Sequence, residues 1–322
     1  MVKVSIEPKS QAEFIAALRQ FAADCGLTMR DAAIEQAALA CVDAATFTPP
    51  MPKGGGRGLT KDAQRAGNNA IDGDVRKMFV AADDKTSKAA PGLLMNQMAY
   101  AVKSGNFGDF RKIMASGHLV GMNKIPPIVR KIAGDQNYDR AFKKAKNYYN
   151  TTNIVLSDYG TQGFVQEIKP NHNRIKGKFG GRIPLKVRPV KVPMLVDSAK
   201  DLKAYIEERQ LMVGSIKSGW LMALLSLPKP IIKGVPKNVG VELMKPAWIK
   251  RHNNTIGRST TNANQGLVEV SVTNTNGNIN NIAVTADTLG LVYGNRVKQM
   301  RDRFRQHFDD TIKATNNKRR IR

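Results

Sequence analysis

Residues 32–45 constrain the fold more than any other stretch of this chain, because they are built almost wholly from small or aliphatic side chains. Glu35, Gln36 and Asp43 are the polar members of the run. An alanine-rich run of this kind is helical by propensity. Its small side chains let other elements come close, which predicts a helix packed centrally or against a partner subunit. Upstream, Ser10 is placed as a cap, Glu13 completes a capping box, and Phe14, Ala17, Leu18, Phe21, Ala22 and Cys25 recur at helical spacing. The prediction is one long helix over 10–45, interrupted at Gly26 and restarted at Thr28 or Asp31.

Helical order cannot pass through 47–58, where three prolines and four glycines stand in twelve residues. That composition predicts an extended, mobile connector. Thr60 then caps a short helix running to Phe79. Residues 80–150 are read as a helical insertion, with helices over 91–103, 106–116 and 137–150 divided by Pro126-Pro127. Thr151 to Ile168 holds a strand or two. Arg182 to Val196 alternates in polarity, but Pro184, Pro189 and Pro193 lack amide donors, so it is predicted as an edge strand or an extended arm. Ser198 opens a long helix that carries Trp220 and ends at Pro228, and 229–264 is read as irregular. Leu267 to Gly277 alternates and ends in Asn-Gly, so it is predicted to form a β-hairpin with 279–286, followed by a helix over about 287–314. These readings predict an α+β fold: a long N-terminal helix packed on a small antiparallel sheet, with a helical insertion and extended arms. The expected parts are 1–79, 80–150 and 151–322.

Charge narrows the list of partners. The chain has 51 Lys and Arg against 26 Asp and Glu, a net +25, which points to a polyanion, either nucleic acid or an acidic protein surface. Between Ile168 and Val196 there are eight basic residues and no acid: Lys169, Arg174, Lys176, Lys178, Arg182, Lys186, Arg188 and Lys191. Glycines and prolines among them predict an extended basic arm, with any nucleic-acid contact sequence-independent because Phe179 is its lone aromatic. Trp220 and Trp248 are candidate interface anchors, since tryptophan is enriched at hot spots. Their plainer reading is as core, Trp220 lying in line with Ile216 and Leu224.

Nothing in the pattern assembles a catalytic or metal site. His118, His172, His252 and His307 are scattered, no His-Glu-x-x-His or paired-cysteine motif occurs, and no cofactor is expected. The glycine runs at 54–58 and 180–181 lack the Gly-Lys-[Ser/Thr] of a phosphate loop. Asp72 with Asp74 reads as a solvated helix end, and Asp309-Asp310 as a local neutraliser of arginines. Cys25 and Cys41 read as a reduced, buried pair. The apolar run Trp220 to Leu227 falls well short of the roughly 20 residues a membrane span needs, and the start lacks the apolar core of a signal peptide, so the expectation is a soluble chain that is neither exported nor membrane-bound.

Three stretches together resemble a known family. A helix carrying Gly219-Trp220 leads to the turn Pro246-Ala-Trp-Ile-Lys-Arg-His252. Thr48-Pro-Pro with glycines is followed by Leu59-Thr-x-x-Ala-x-x-Ala-Gly67. Val268-x-Val-x-Val-x-Asn274 precedes Gly294-Asn-Arg-Val-Lys-Gln-Met-Arg-Asp-Arg-Phe304. This set, spanning 47–79, 201–252 and 267–305, is similar to the neck or tail-completion proteins of tailed bacteriophages. The resemblance implies a non-enzymatic virion protein, assembled in the host cytoplasm, that forms a ring at the head–tail junction. Its implied partners are itself, the head connector, and the tail terminator or tail tube, with packaged DNA contacted without sequence preference. Residues 80–150 depart from the family pattern. The second expectation, from a different class, is a sequence-independent DNA-binding protein associated with the packaged genome.

Overall fold

The computed structural model describes residues 15, 16, 19, 28–52, 58–152, 164, 165, 167–178, 193–228, 239–252, 257–264, 267–275, 288–302 and 306. Its elements begin with α1 (Met29–Phe47), α2 (Lys61–Arg76), β1 (Phe79–Ala81), α3 (Ala90–Lys103), α4 (Phe107–Ala115), α5 (Pro127–Ala133) and α6 (Tyr138–Thr151). They continue with β2 (Phe164–Val165), α7 (Ile168–Lys178), β3 (Met194–Val196), α8 (Ala199–Gln210) and α9 (Ser215–Ser226). The last are α10 (Val239–Met244), α11 (Ala247–Lys250), β4 (Gly257–Asn264), β5 (Leu267–Asn274) and a helix α12 over 288–302. Helix and small sheets together make an α+β fold. The chain divides into two compact units, 1–68 with 212–322, and 69–211. The helical insertion therefore shares a unit with 151–211.

In the first unit, Thr28 caps α1 by accepting the Asp31 amide hydrogen at 3.1 Å. Ala32, Ala38 and Ala45 are fully buried, and α1 packs on α9 and β5, as the small side chains of this helix require. The long N-terminal helix thus lies on an antiparallel sheet, over the part of it that the structure describes. β5 pairs with β4, from Gly257↔Asn274 to Asn264↔Leu267; its expected partner, 279–286, lies outside the described residues. The sheet corrects one expectation: 229–264, read as irregular, supplies β4, α10 and α11. Strand β4 is Gly-Arg-Ser-Thr-Thr-Asn-Ala-Asn, with no apolar alternation; its ladder rests on backbone hydrogen bonds, which leave no mark on the side chains.

A second correction concerns the Trp220 helix. Ser198 does cap a helix, accepting from the Lys200 and Asp201 amides, but that helix ends at Gln210. Gly214, at φ 95°, turns the chain into α9. A Cβ on Gly214 would stand 2.7 Å from the Trp248 ring, so glycine answers both the left-handed backbone and the close packing. Hairpin and α9 also meet tightly: a Cβ on Gly257 would stand 1.9 Å from the Gly219 carbonyl oxygen. Asn274 Nδ2 donates to the Ile216 carbonyl at 2.8 Å nearby.

The second unit contains a three-stranded parallel sheet in the order β1-β3-β2. Its strands are short, yet their alternation is complete. Phe79, Ala81, Val165, Met194 and Val196 face one apolar cluster with Ile168 and Ile175 of α7 and Leu202 and Ile206 of α8. Val80, Phe164 and Leu195 face the other, made by α3 to α6 around Leu94, Met98, Phe110, Ile132 and Tyr149. Helices on both faces are what a parallel sheet demands, since neither face is left to water.

Two further expectations change here. Met194–Val196 is the central strand, not an edge; Pro193 sits just outside the ladder, so its missing amide costs no bond, while Met194 N donates to the Met78 carbonyl. Residues 168–178 are a helix, not an extended arm: Ile168, His172 and Ile175 form a buried stripe at helical spacing against β1 and α8. Pro170 lies in the first turn, where the missing amide has no helical acceptor to lose.

Candidate functional site

The basic residues singled out in the sequence separate in the structure. Lys169, Arg174, Lys176 and Lys178 lie on α7, while Arg182, Lys186, Arg188 and Lys191 lie outside the described residues. Lys169 pairs with Glu208 of α8 at 3.2 Å in an exposed bridge. Arg174 donates to Asn171 at 3.2 Å. Lys176 is half-buried, and burial, with the Arg209 charge, lowers its pKa from the usual value. The described half of the basic segment is therefore partly spent on its own unit.

The two tryptophans also part. Trp248 is 4% exposed, packs on Gly214, and its Nε1 has no partner, so it belongs to the core of the first unit. Trp220 is half-buried on α9, in line with Ile216 and Leu224. Cys41 is buried in α1 and burial pushes its thiol up to about 12, which makes it inert as a nucleophile. Cys25 lies outside the described residues.

A cleft of about 1220 Å³ opens in the second unit at the carboxyl ends of β2 and β3, the edge where open α/β sheets bind ligands. Among its lining residues are Ser116, His118, Glu167, Asp197, Asp201 and Tyr205. His118 Nε2 lies 3.0 Å from Asp197 Oδ1. The Ser116 hydroxyl, however, donates to the Ile113 carbonyl at 2.6 Å and accepts from the His118 main-chain amide, so Ser116 is not placed as a nucleophile against the imidazole. Behind the cleft the Tyr205 hydroxyl and His172 Nδ1 are 2.5 Å apart. Burial, then the charges of Lys176 and Arg209, push His172 down to about 4, and burial raises Tyr205. Both are neutral near pH 7 and share this one hydrogen bond, while His172 Nε2 is buried without a partner. The arrangement holds the ring edge-on to Phe79 and is a packing device. Among the described residues no group of three or more His, Cys, Asp or Glu is placed to hold a metal ion.

Sequence reasoning missed the most unusual cation of all. Lys217, on α9, is fully buried, and its ammonium donates to the carbonyls of Ala45 at 2.9 Å, Thr46 at 3.5 Å and Thr48. Those carbonyls belong to the open end of α1, where a cation is favoured by the orphan acceptors and the helix dipole. Burial pulls Lys217 down to about 7. Nearby in the same unit, Arg296 of α12, 5% exposed, pairs with Asp43 of α1 at 2.6 Å, and Asn295 donates to the same carboxylate at 2.8 Å. Lys217 is the one charged residue of the apolar α9, a signal of burial that the sequence carries, whereas Arg296 is not distinguishable in the sequence from the basic residues around it.

No protein-family model, no curated protein and no solved structure matches this chain. Among the described residues no helix is long and apolar enough to cross a membrane.

Proposed function

We propose that this protein is a non-enzymatic structural subunit of a tailed-phage virion, a ring-forming neck or tail-completion component that joins the head connector to the tail. The observation that carries the reading is the packing of α1 on α9 and β5. It gathers the start of the connector after α1, the Trp segment from 212 onward and the hairpin, the stretches on which the family resemblance rests, into the first unit. The departing insertion, 80–150, falls in the second unit. Partners under this reading are further copies of the chain, the connector, and the tail terminator or tube. The reading of a genome-associated DNA-binding protein draws its support from the exposed cations of the second unit.

Self-association of a chain with net charge +25 works against like-charge repulsion, which favours contact through uncharged surface. Leu225 of α9 and Val241 of α10, two helices that pack together, are 45% and 55% exposed and offer such a surface. Replacing both by Glu is expected to convert rings to monomers, seen by sedimentation without DNA, while the melting temperature holds. Rings that persist in this variant would place the subunit contact elsewhere. A wild-type protein that never leaves the monomer would remove the ring reading altogether.

A further inference from the structure

We propose that the outward face of α6, extended by Arg111 of α4, is a binding surface for the phosphate backbone of a nucleic-acid duplex. The inward side of α6 is Ala141, Ala145 and Tyr149, all buried. With about 3.6 residues per turn, Arg140, Lys143, Lys144 and Lys146 fall on the opposite side, and all four are exposed. Asp139 is the one exposed acid on this helix.

Asp135, just before α6, positions two of these cations. Its carboxylate, 4% exposed, accepts from Arg140 Nε at 2.9 Å and Nη2 at 2.7 Å, and from Lys144 Nζ at 3.0 Å. These bonds hold its pKa far below the usual carboxylate range. The guanidinium retains Nη1 and the ammonium two hydrogens for an outside acceptor, and the side chains are 63% and 53% exposed. Arg111 lies over the Tyr138 ring, 5.8 Å from its centroid, which fixes a fifth cation beside the start of the helix.

The chemistry of this face selects its partner. A protein interface buries aromatic or aliphatic anchors at its centre and is poor in lysine. Here the large apolar side chains of α6 point inward, and the outward neighbours of the cations are the amides of Asn147 and Asn150, which hydrogen-bond phosphate oxygens. A duplex carries one negative charge per about 1.7 Å of its axis. Residues 140–146 advance about 9 Å along the helix axis, a length of duplex with roughly five charges. Contacts to phosphate carry no sequence information, so such binding is independent of base sequence.

The inference stands apart from the ring, and its test does not depend on assembly. Lys143→Gln with Lys146→Gln removes two cations on which no hydrogen bond or ion pair among the described residues depends. Binding of two unrelated short duplexes would be followed across salt concentrations for this variant, for Lys143→Arg with Lys146→Arg, and for Lys169→Gln with Arg174→Gln. The Gln variant of α6 is expected to bind both duplexes more weakly and to flatten the log K against log salt slope by about 1.8, at about 0.9 per lost contact. The Arg variant should keep the wild-type slope, and the α7 variant should change it little. An unchanged slope in the α6 Gln variant, or a loss confined to the α7 variant, overturns the proposal. So does a wild-type protein that binds no duplex, which would leave an acidic protein surface as the partner of this face. Each of these failures leaves the ring reading intact, because rings are scored without DNA.

Discussion

The two units differ in which charged side chains they bury. In the first, two cations are buried: Lys217 closes the carbonyl end of α1, and Arg296 meets Asp43 on the same helix. Each bond ties segments far apart in the chain, as expected for a unit built from both ends of the sequence. The second unit is continuous in sequence; apolar clusters cover both faces of its sheet, and most of its charges stand at the surface, where Asp135 gathers two of them. Buried polar contacts thus specify which distant segments meet in one unit, while strand alternation and helix stripes suffice in the other.

That contrast can be broken most severely in the second unit. Phe110 is fully buried, with its ring 5.0 Å from that of Phe142 and 6.4 Å from that of Phe107. Phe110→Ala is expected to cost about 4 kcal/mol in denaturant unfolding, through lost transfer energy and the cavity left behind. In the first unit, Asp43→Ala leaves the Arg296 guanidinium buried and unpaired, and is expected to cost about 3 kcal/mol. Asp43→Leu combined with Arg296→Leu should recover much of that loss, because no buried charge remains. If the pair and the single variant cost the same, the ion pair is not what orders this end of the unit.

At Lys217 the expected effect is a slope of stability against pH. Folded, the group is pulled down to about 7 by burial; unfolded, it titrates near about 10.4. Between those values the unfolded chain holds more protons, so stability rises with pH through this window, by at most about 1.4 kcal/mol per unit. Cys41, pushed up to about 12 by burial, contributes the opposite slope above the free-thiol value, so the test is a difference: the rise should be lost in Lys217→Met relative to the wild type measured at the same pH values. A slope that Lys217→Met leaves unchanged would mean that the three carbonyls hold the ammonium charged as strongly as burial opposes it.

Local signals were legible in the sequence and long-range ones were not. Thr28, Asn137 and Ser198 each cap a helix by accepting main-chain amides, and the three helices expected in the insertion start and stop within a residue or two of their predicted limits, while α5, Pro127–Ala133, stands where Pro126-Pro127 was read as a divide. Helix α7 was misread because Pro170 and Gly177 outweighed the Ile168, His172, Ile175 stripe that was there to be counted. Strands of two or three residues, such as Phe164–Val165, are too short to show a period, so the parallel sheet was invisible. The partner of β5 depended on a polar strand with no alternation, and the burial of Lys217 on where the end of α1 would lie. That Lys217 is the one charge in the apolar run of α9 hinted at burial, but not at what it would meet. Asp135 with Arg140 and Lys144, by contrast, spans nine residues, and its spacing was open to reading.

The central claim is that this chain assembles with itself as a virion subunit. The native mass of the purified wild-type protein without nucleic acid, measured together with negative-stain imaging, tests it most directly. The account predicts a single mass that is a whole multiple of 35.4 kDa and closed rings in projection. A monomeric mass at every concentration, with no annular particles, would contradict it.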